Sequence, residues 1–146
     1  MPEKLTAKRV INGTWGTMWL EGQLVSEVYK LEAKDNYTRE NVALCGSLRD
    51  GKKLTKLEGT GSIGLHKVNS RMQRLISDKV RAGYDPEFTI VSKLDDPDAY
   101  GAERVSITGV QFDNLDIANW EVGVLGKVEC PFTFQDYEYL DTIQEV

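Results

Sequence analysis

A chain of 146 residues, 40% hydrophobic and 28% charged, is long enough to bury a sizeable core, and one domain over residues 1–146 is expected. No apolar run approaches the ~20 residues of a membrane helix and MPEKLTAKRV lacks an apolar h-region, so neither a membrane helix nor a secretory leader is expected, and a cytoplasmic chain is expected. The net charge of −5 is segregated: Arg49 to Arg81 holds nine Lys/Arg against three Asp/Glu, whereas from Ala82 onward three face fourteen. Either one fold brings the two stretches together, or copies of the chain meet through complementary surfaces.

The elements follow in chain order. Thr14 to Leu20, a turn at Glu21-Gly22, and Gln23 to Ala33 read as a first long hairpin, with Tyr37 to Leu44 able to pair next. A polar loop starts at Gly46, where Asp50-Gly51 supplies a turn and Lys52, Lys53 and Lys56 keep it solvated. Next comes GTGSIG, Gly59 to Gly64, which matches G-x-G-x-x-G by letters. A dinucleotide loop needs a strand ending at the first glycine and a helix opening at the third, yet Leu65-His66-Lys67-Val68 follows instead. With period two, Leu57, Gly59, Gly61, Ile63 and Leu65 share one face, so the stretch is one strand. Its paired glycines mark a place where a large side chain or another backbone presses close.

The spacing predicts a helix over Ser70 to Ala82, with Asn69 or Ser70 as N-cap and Gly83 as left-handed C-cap. Met72, Leu75, Ile76 and Val80 form its inner stripe, opposite Arg71, Arg74, Asp78 and Arg81. Arginines in the first turn oppose the helix dipole, which suits an acidic partner.

Strands resume with Phe88, Ile90 and Leu94 facing one way. Asp95 to Gly101 is a turn-rich loop whose aspartates lack calcium-loop spacing. Val105 and Ile107 extend the core, and Leu115 to Val122 reads as a return strand. The last strand sets Val128, Cys130, Phe132 and Phe134 on one face, and Pro131 confines it to an edge or a bulge. Many antiparallel strands, one helix and no βαβ repeat make the chain mainly β.

Little of this points to chemistry. His66, the single histidine, has no carboxylate that the sequence can place beside it. Cys45 and Cys130 lack metal-ligand spacing and are expected as reduced thiols packed in the core or at strand positions. Trp15, Trp19 and Trp120 are expected in strands as core or interface anchors. The chain is expected to be no enzyme and to need no cofactor or metal. An assembly subunit and a non-polymerising cytoplasmic β-sandwich binding module remain.

From Gly59 onward, GTGSIGLHKVNSR, the helix, GYDPEFTIVSKLDDPDAYGAERVSITGVQFDNLDIANW and VECPFTFQDYEYLD follow in an order that resembles the core tail tube protein of PBSX-type prophages, contractile-tailed phages and R-type bacteriocins. The resemblance covers roughly residues 10 to 140. It implies an antiparallel β-sandwich or partial barrel with one flanking helix. Hexameric rings would join the sheets into a continuous barrel around a lumen and stack into a tube. Implied partners are further copies of the chain, the tail sheath protein, and baseplate and tail terminator proteins. In a true phage, DNA would pass through the lumen without specific binding. Assembly would take place in the host bacterial cytoplasm, followed by residence in the tail or bacteriocin particle.

On this resemblance Arg49, Asp50, Lys52, Lys53 and Lys56 are candidates for contact between rings, with acidic C-terminal segments as counterpart. Arg71, Arg74, Asp78 and Arg81 are candidates for facing the sheath. Glu27, Lys30, Glu32 and Lys34, on the long hairpin, are candidates for a lumen wall of neutral to acidic charge, since a basic wall would retain DNA.

Overall fold

Period-two alternation dominates the structure, a computed structural model that describes residues 4–145. The strands are β1 (Gly16–Leu20), β2 (Gln23–Leu24), β3 (Val28–Val42), β4 (Gly51–His66), β5 (Phe88–Leu94), β6 (Glu103–Phe112), β7 (Lys127–Phe134) and β8 (Asp136–Asp141). They pair antiparallel in the order β2-β1-β5-β6-β7-β4-β3, with β8 also on β6. Among the described residues no pairing joins the two ends of this path, so the mainly β fold is an open sheet curled on itself.

Inward residues of facing strands fill the curl. Cys130, Phe132 and Phe134 of β7 meet Ile63 and Leu65 of β4, Phe88 and Ile90 of β5, and Met18 and Leu20 of β1. Each fully buried apolar side chain here stabilises by about 1.5–3 kcal/mol. The glycine pair on β4 does what its spacing implied. A Cβ on Gly59 would stand 2.5 Å from the Phe134 ring, and one on Gly61 2.6 Å from the Phe132 ring and against the Glu32 carbonyl oxygen. Gly109, at φ +66, marks where β6 leaves the β8 pairing and turns toward β7.

The helix runs over 71–81, and its middle, Gln73–Ser77, is a π-turn. Asn69 Oδ1 accepts the Arg71 N–H at 3.0 Å at the start. At the end Gly83, at φ +91, donates to Val80 O and Tyr84 donates to Lys79 O, each at 3.0 Å, which is a Schellman stop. Met72 and Ile76 are buried with Leu75 beside them, but Val80, expected in the same stripe, is 54% exposed. The π-turn holds one extra residue, which rotates everything after it by about 100° and swings Val80 off the core.

Other expectations are corrected. The first hairpin is short, because β2 ends at Leu24, whereas Val28–Val42 is one continuous strand that joins the end of the stretch expected over Gln23 to Ala33 to the one expected from Tyr37. The long hairpin is therefore β3–β4. Residues 113–126 are irregular, so Leu115 to Val122 is no strand. Trp15 ends a 3₁₀ turn and Trp120 lies in that irregular loop, so only Trp19 sits in a strand. β7 lies between β6 and β4, and Pro131 is tolerated inside the sheet because its carbonyl, which accepts from Asp113 N–H at 2.9 Å, faces the side where β6 has ended. Cys130 is buried as expected, but Cys45 is exposed in the loop after β3. Asp96 is buried and accepts the N–H groups of Asn12 (2.8 Å) and Asp98 (2.9 Å), so the aspartate-rich loop is a turn.

Candidate functional site

The most unusual feature follows from a mismatch of strand lengths. β3 and β4 pair from Val28/Leu65 to Val42/Gly51, but β7 accompanies β4 only over Gly59 to His66. After Gln135 the chain leaves β4 and follows β6 as β8. Residues 36–58 therefore form a two-stranded arm with no third strand. On this arm Tyr37, Leu54, Leu57 and, at the tip, Leu44 and Leu48 are exposed. A bare two-stranded ribbon is marginal in water, and uncovered apolar side chains of this number mark a contact surface. Among the described residues, the Gly51 to Glu58 edge of β4 and the outer edge of β3 have no strand partner. Arg49 and Asp50 lie in the tip loop, and Lys52, Lys53 and Lys56 lie on β4 itself; all but Gly51 of this stretch are exposed.

Where β8 departs, a groove of about 320 Å³ opens between the inner face of β3 and the β6–β8 pair. A row of rings leads into it from the core: Phe132 to Phe134 at 6.2 Å, Phe134 to Tyr137 at 6.3 Å and Tyr137 to Tyr139 at 5.5 Å. Tyr37 on β3 and then Tyr139 push the Tyr137 hydroxyl pKa up.

The other face of the sheet is polar. Lys34, Thr60 and Thr133 stand side by side across β3, β4 and β7, and Lys30, Gly64 and Glu129 form a parallel row. Glu32 lies between the two lysines, its carboxylate 2.9 Å from Lys34 Nζ, and the Lys34 hydrogen bond holds its pKa below the usual value. Lys30, Glu32 and Lys34 are thus brought onto one surface. Glu27 is not among them. It is buried and meets Arg71, which was expected on a different surface: Arg71 Nε lies 3.3 Å from its carboxylate, and Asn69 Nδ2 donates to it at 3.4 Å. The first-turn arginine thus answers to an acid within its own chain, while Arg74, Asp78 and Arg81 remain exposed.

His66 is exposed and packs its ring at 4.9 Å from Tyr29. Burial pushes the Cys130 thiol up to about 11, which makes it a poor nucleophile. Among the described residues no group of three His, Cys, Asp or Glu side chains could hold a metal ion. Nor is any helix there long and apolar enough to cross a membrane. Sequence reasoning missed the surface at 113–126, where Ile117, Trp120, Val122 and Leu125 are each more than 80% exposed. Three of the four fall within Leu115 to Val122, the stretch expected as a return strand.

Among the described residues the sheet edges and the apolar arm are thus left uncovered. Residues 3–141 match the family model described as phage tail tube protein. The chain is 33% identical to the phage-like element PBSX protein XkdM of Bacillus subtilis (strain 168) over 143 residues, covering 97% of each chain. Among solved structures it is similar in fold to a chain of the PVC extracellular contractile injection system sheath/tube terminator, at TM-score 0.72 and 6% identity, covering 93% of this chain and 100% of that one. A chain of the PVC sheath-tube complex in the extended state matches at TM-score 0.69 and 7% identity, covering 96% and 95%. With a family match along nearly its whole length and a fold left open at both ends of the sheet, this chain belongs to the phage tail tube proteins, a structural family.

Proposed function

We propose that this protein is the inner-tube subunit of a contractile phage tail or an R-type bacteriocin, in which hexameric rings stack into a hollow tube inside a sheath. The observation that carries this reading is the unclosed sheet: the outer edge of β3 and the Gly51 to Glu58 edge of β4 offer backbone N–H and C=O groups that no strand among the described residues takes up. Monomeric proteins protect such edges, whereas a ring of identical copies satisfies them by joining one sheet to the next. The polar face carrying Lys30, Glu32 and Lys34 would then line the water-filled lumen. Its mixed charges let DNA slide without being held.

The arm, with Arg49, Asp50, Lys52, Lys53 and Lys56, would reach the adjacent ring, and Arg74, Asp78 and Arg81 on the helix would face the sheath. Baseplate and terminator proteins would occupy the tube ends. Negative-stain electron microscopy of the purified chain across a concentration series tests the reading. Hollow rods built of sixfold rings are expected. Monomers at every concentration, with or without a baseplate complex as nucleus, would overturn it.

A further inference from the structure

We propose that the loop over 113–126 is the seat for the arm tip of a second copy of this chain. Copies then join head to tail along the direction of β4. The inference rests on the tube reading above and names a partner surface within it.

The loop is held firmly but covered by nothing. Leu115 packs against the core, Gln73 Nε2 donates to Asp116 O at 3.5 Å, and Lys67 N–H donates to Gly126 O at 2.9 Å. Between these anchors Ile117 (85%), Trp120 (81%), Val122 (88%) and Leu125 (88%) stand exposed. An apolar group of this size on a tethered loop marks a contact, and an exposed tryptophan is the side chain that most often dominates one.

Charge selects the occupant. Residues 113–126 carry Asp113, Asp116 and Glu121 and no Lys or Arg. The arm end, residues 42–56, carries Arg49, Lys52, Lys53 and Lys56 against Asp50 alone, together with the exposed apolar side chains Val42, Leu44, Leu48 and Leu54. Each surface thus offers what the other lacks, apolar area with charge of opposite sign.

Geometry removes the intramolecular alternative. Lys67, one residue past the end of β4, touches the loop at Gly126, whereas the arm tip precedes the start of β4 at Gly51. A strand of 16 residues separates the two ends by about 50 Å. One molecule cannot bring them together, and two copies joined this way each retain one free end, so the contact can be repeated from copy to copy.

Cross-linking during assembly tests this with the full chain. Cys45 sits exposed by the arm tip, while Cys130 is buried. Val122→Cys, and separately Ile117→Cys, place a second reactive thiol on the loop at exposed positions. A short bis-maleimide is added to assembling protein and the products are resolved on a denaturing gel. A ladder of dimers, trimers and higher species is expected, lost when Cys45→Ser is added; the wild-type chain, with Cys45 alone, yields dimers at most. Electron micrographs of the same samples read assembly independently. Rods without a ladder in either variant overturn this contact while the tube reading stands. Absence of rods from the wild-type chain, with or without a baseplate complex as nucleus, overturns both. Trp120→Ala is expected to raise the concentration needed for rods by at least ~10-fold with unfolding of the monomer unchanged. An unchanged threshold counts against the proposal. Lys52→Glu with Lys53→Glu should likewise block rods, and adding Asp113→Lys with Glu121→Lys should restore them. Failure to restore counts against the pairing.

Discussion

At the scale of single residues, the glycines of β4 show how a sequence records a contact it does not name. Period two set Gly59 and Gly61 on the apolar face, and the missing side chains make room for the Phe134 and Phe132 rings. Gly59→Ala is expected to cost about 1–3 kcal/mol in urea unfolding of the monomer, because a buried ring must give way. A smaller partner, Phe134→Leu, should lessen that penalty in a double-mutant cycle. Gly61→Ala should find no such relief from Phe132→Leu, since the Glu32 carbonyl bounds the same space with backbone. The thiols give a second test. Cys45 is exposed and Cys130 buried, so alkylation of the native chain at pH 8 should modify Cys45 alone, with Cys130 reacting only in denaturant. Burial, with Asp116 adding to it, raises Cys130 from 9.0 to about 11. Between those values the unfolded chain sheds a proton that the folded chain keeps, so stability should fall as pH rises from 9 to 11. A Cys130→Ala variant lacking this fall would confirm its source.

At the scale of elements, what was legible depended on how local the signal was. The stop at Gly83, the turn at Glu21-Gly22 and the β5–β6 hairpin were readable, because each is set by a few adjacent residues. Strand order was not, since β1 against β5 and β4 against β7 are chosen by three-dimensional packing. The helix gives the sharpest case. Its stripe was read at 3.6 residues per turn, but the π-turn over Gln73–Ser77 breaks that count after Ile76. Val80→Lys is therefore expected to change stability by less than about 0.5 kcal/mol, while Ile76→Ala costs about 2–4 kcal/mol. Comparable losses at the two positions in thermal unfolding would mean that the stripe continues unbroken and that the π-turn is absent in solution.

At the scale of the whole molecule, the same apolar alphabet serves two cores, one inside the chain and one between chains. Leu115 to Val122 reads as a strand by its apolar content, because composition alone cannot distinguish residues buried by their own fold from residues left exposed. The charge split was subject to the same ambiguity. Glu27 and Arg71, expected on the lumen wall and toward the sheath respectively, turn out to satisfy each other, whereas the lysines of the arm have no acid across from them except Glu40, opposite Lys53. No residue of 36–58 belongs to the core cluster or to the partly buried hydrophobics packed against it. The arm is therefore dispensable for folding and, on the tube reading, indispensable for assembly. Replacing residues 38–56 by Asn-Gly joins Tyr37 to Leu57, which already face each other in register, through a two-residue turn. The shortened chain is expected to unfold within about 1 kcal/mol of the full one, because it loses no residue of the core cluster and the closed loop is shorter. It should also remain monomeric by light scattering at concentrations where the full chain forms rods. A marked loss of stability would show that the arm belongs to the fold, and rods formed without it would show that the copies meet elsewhere.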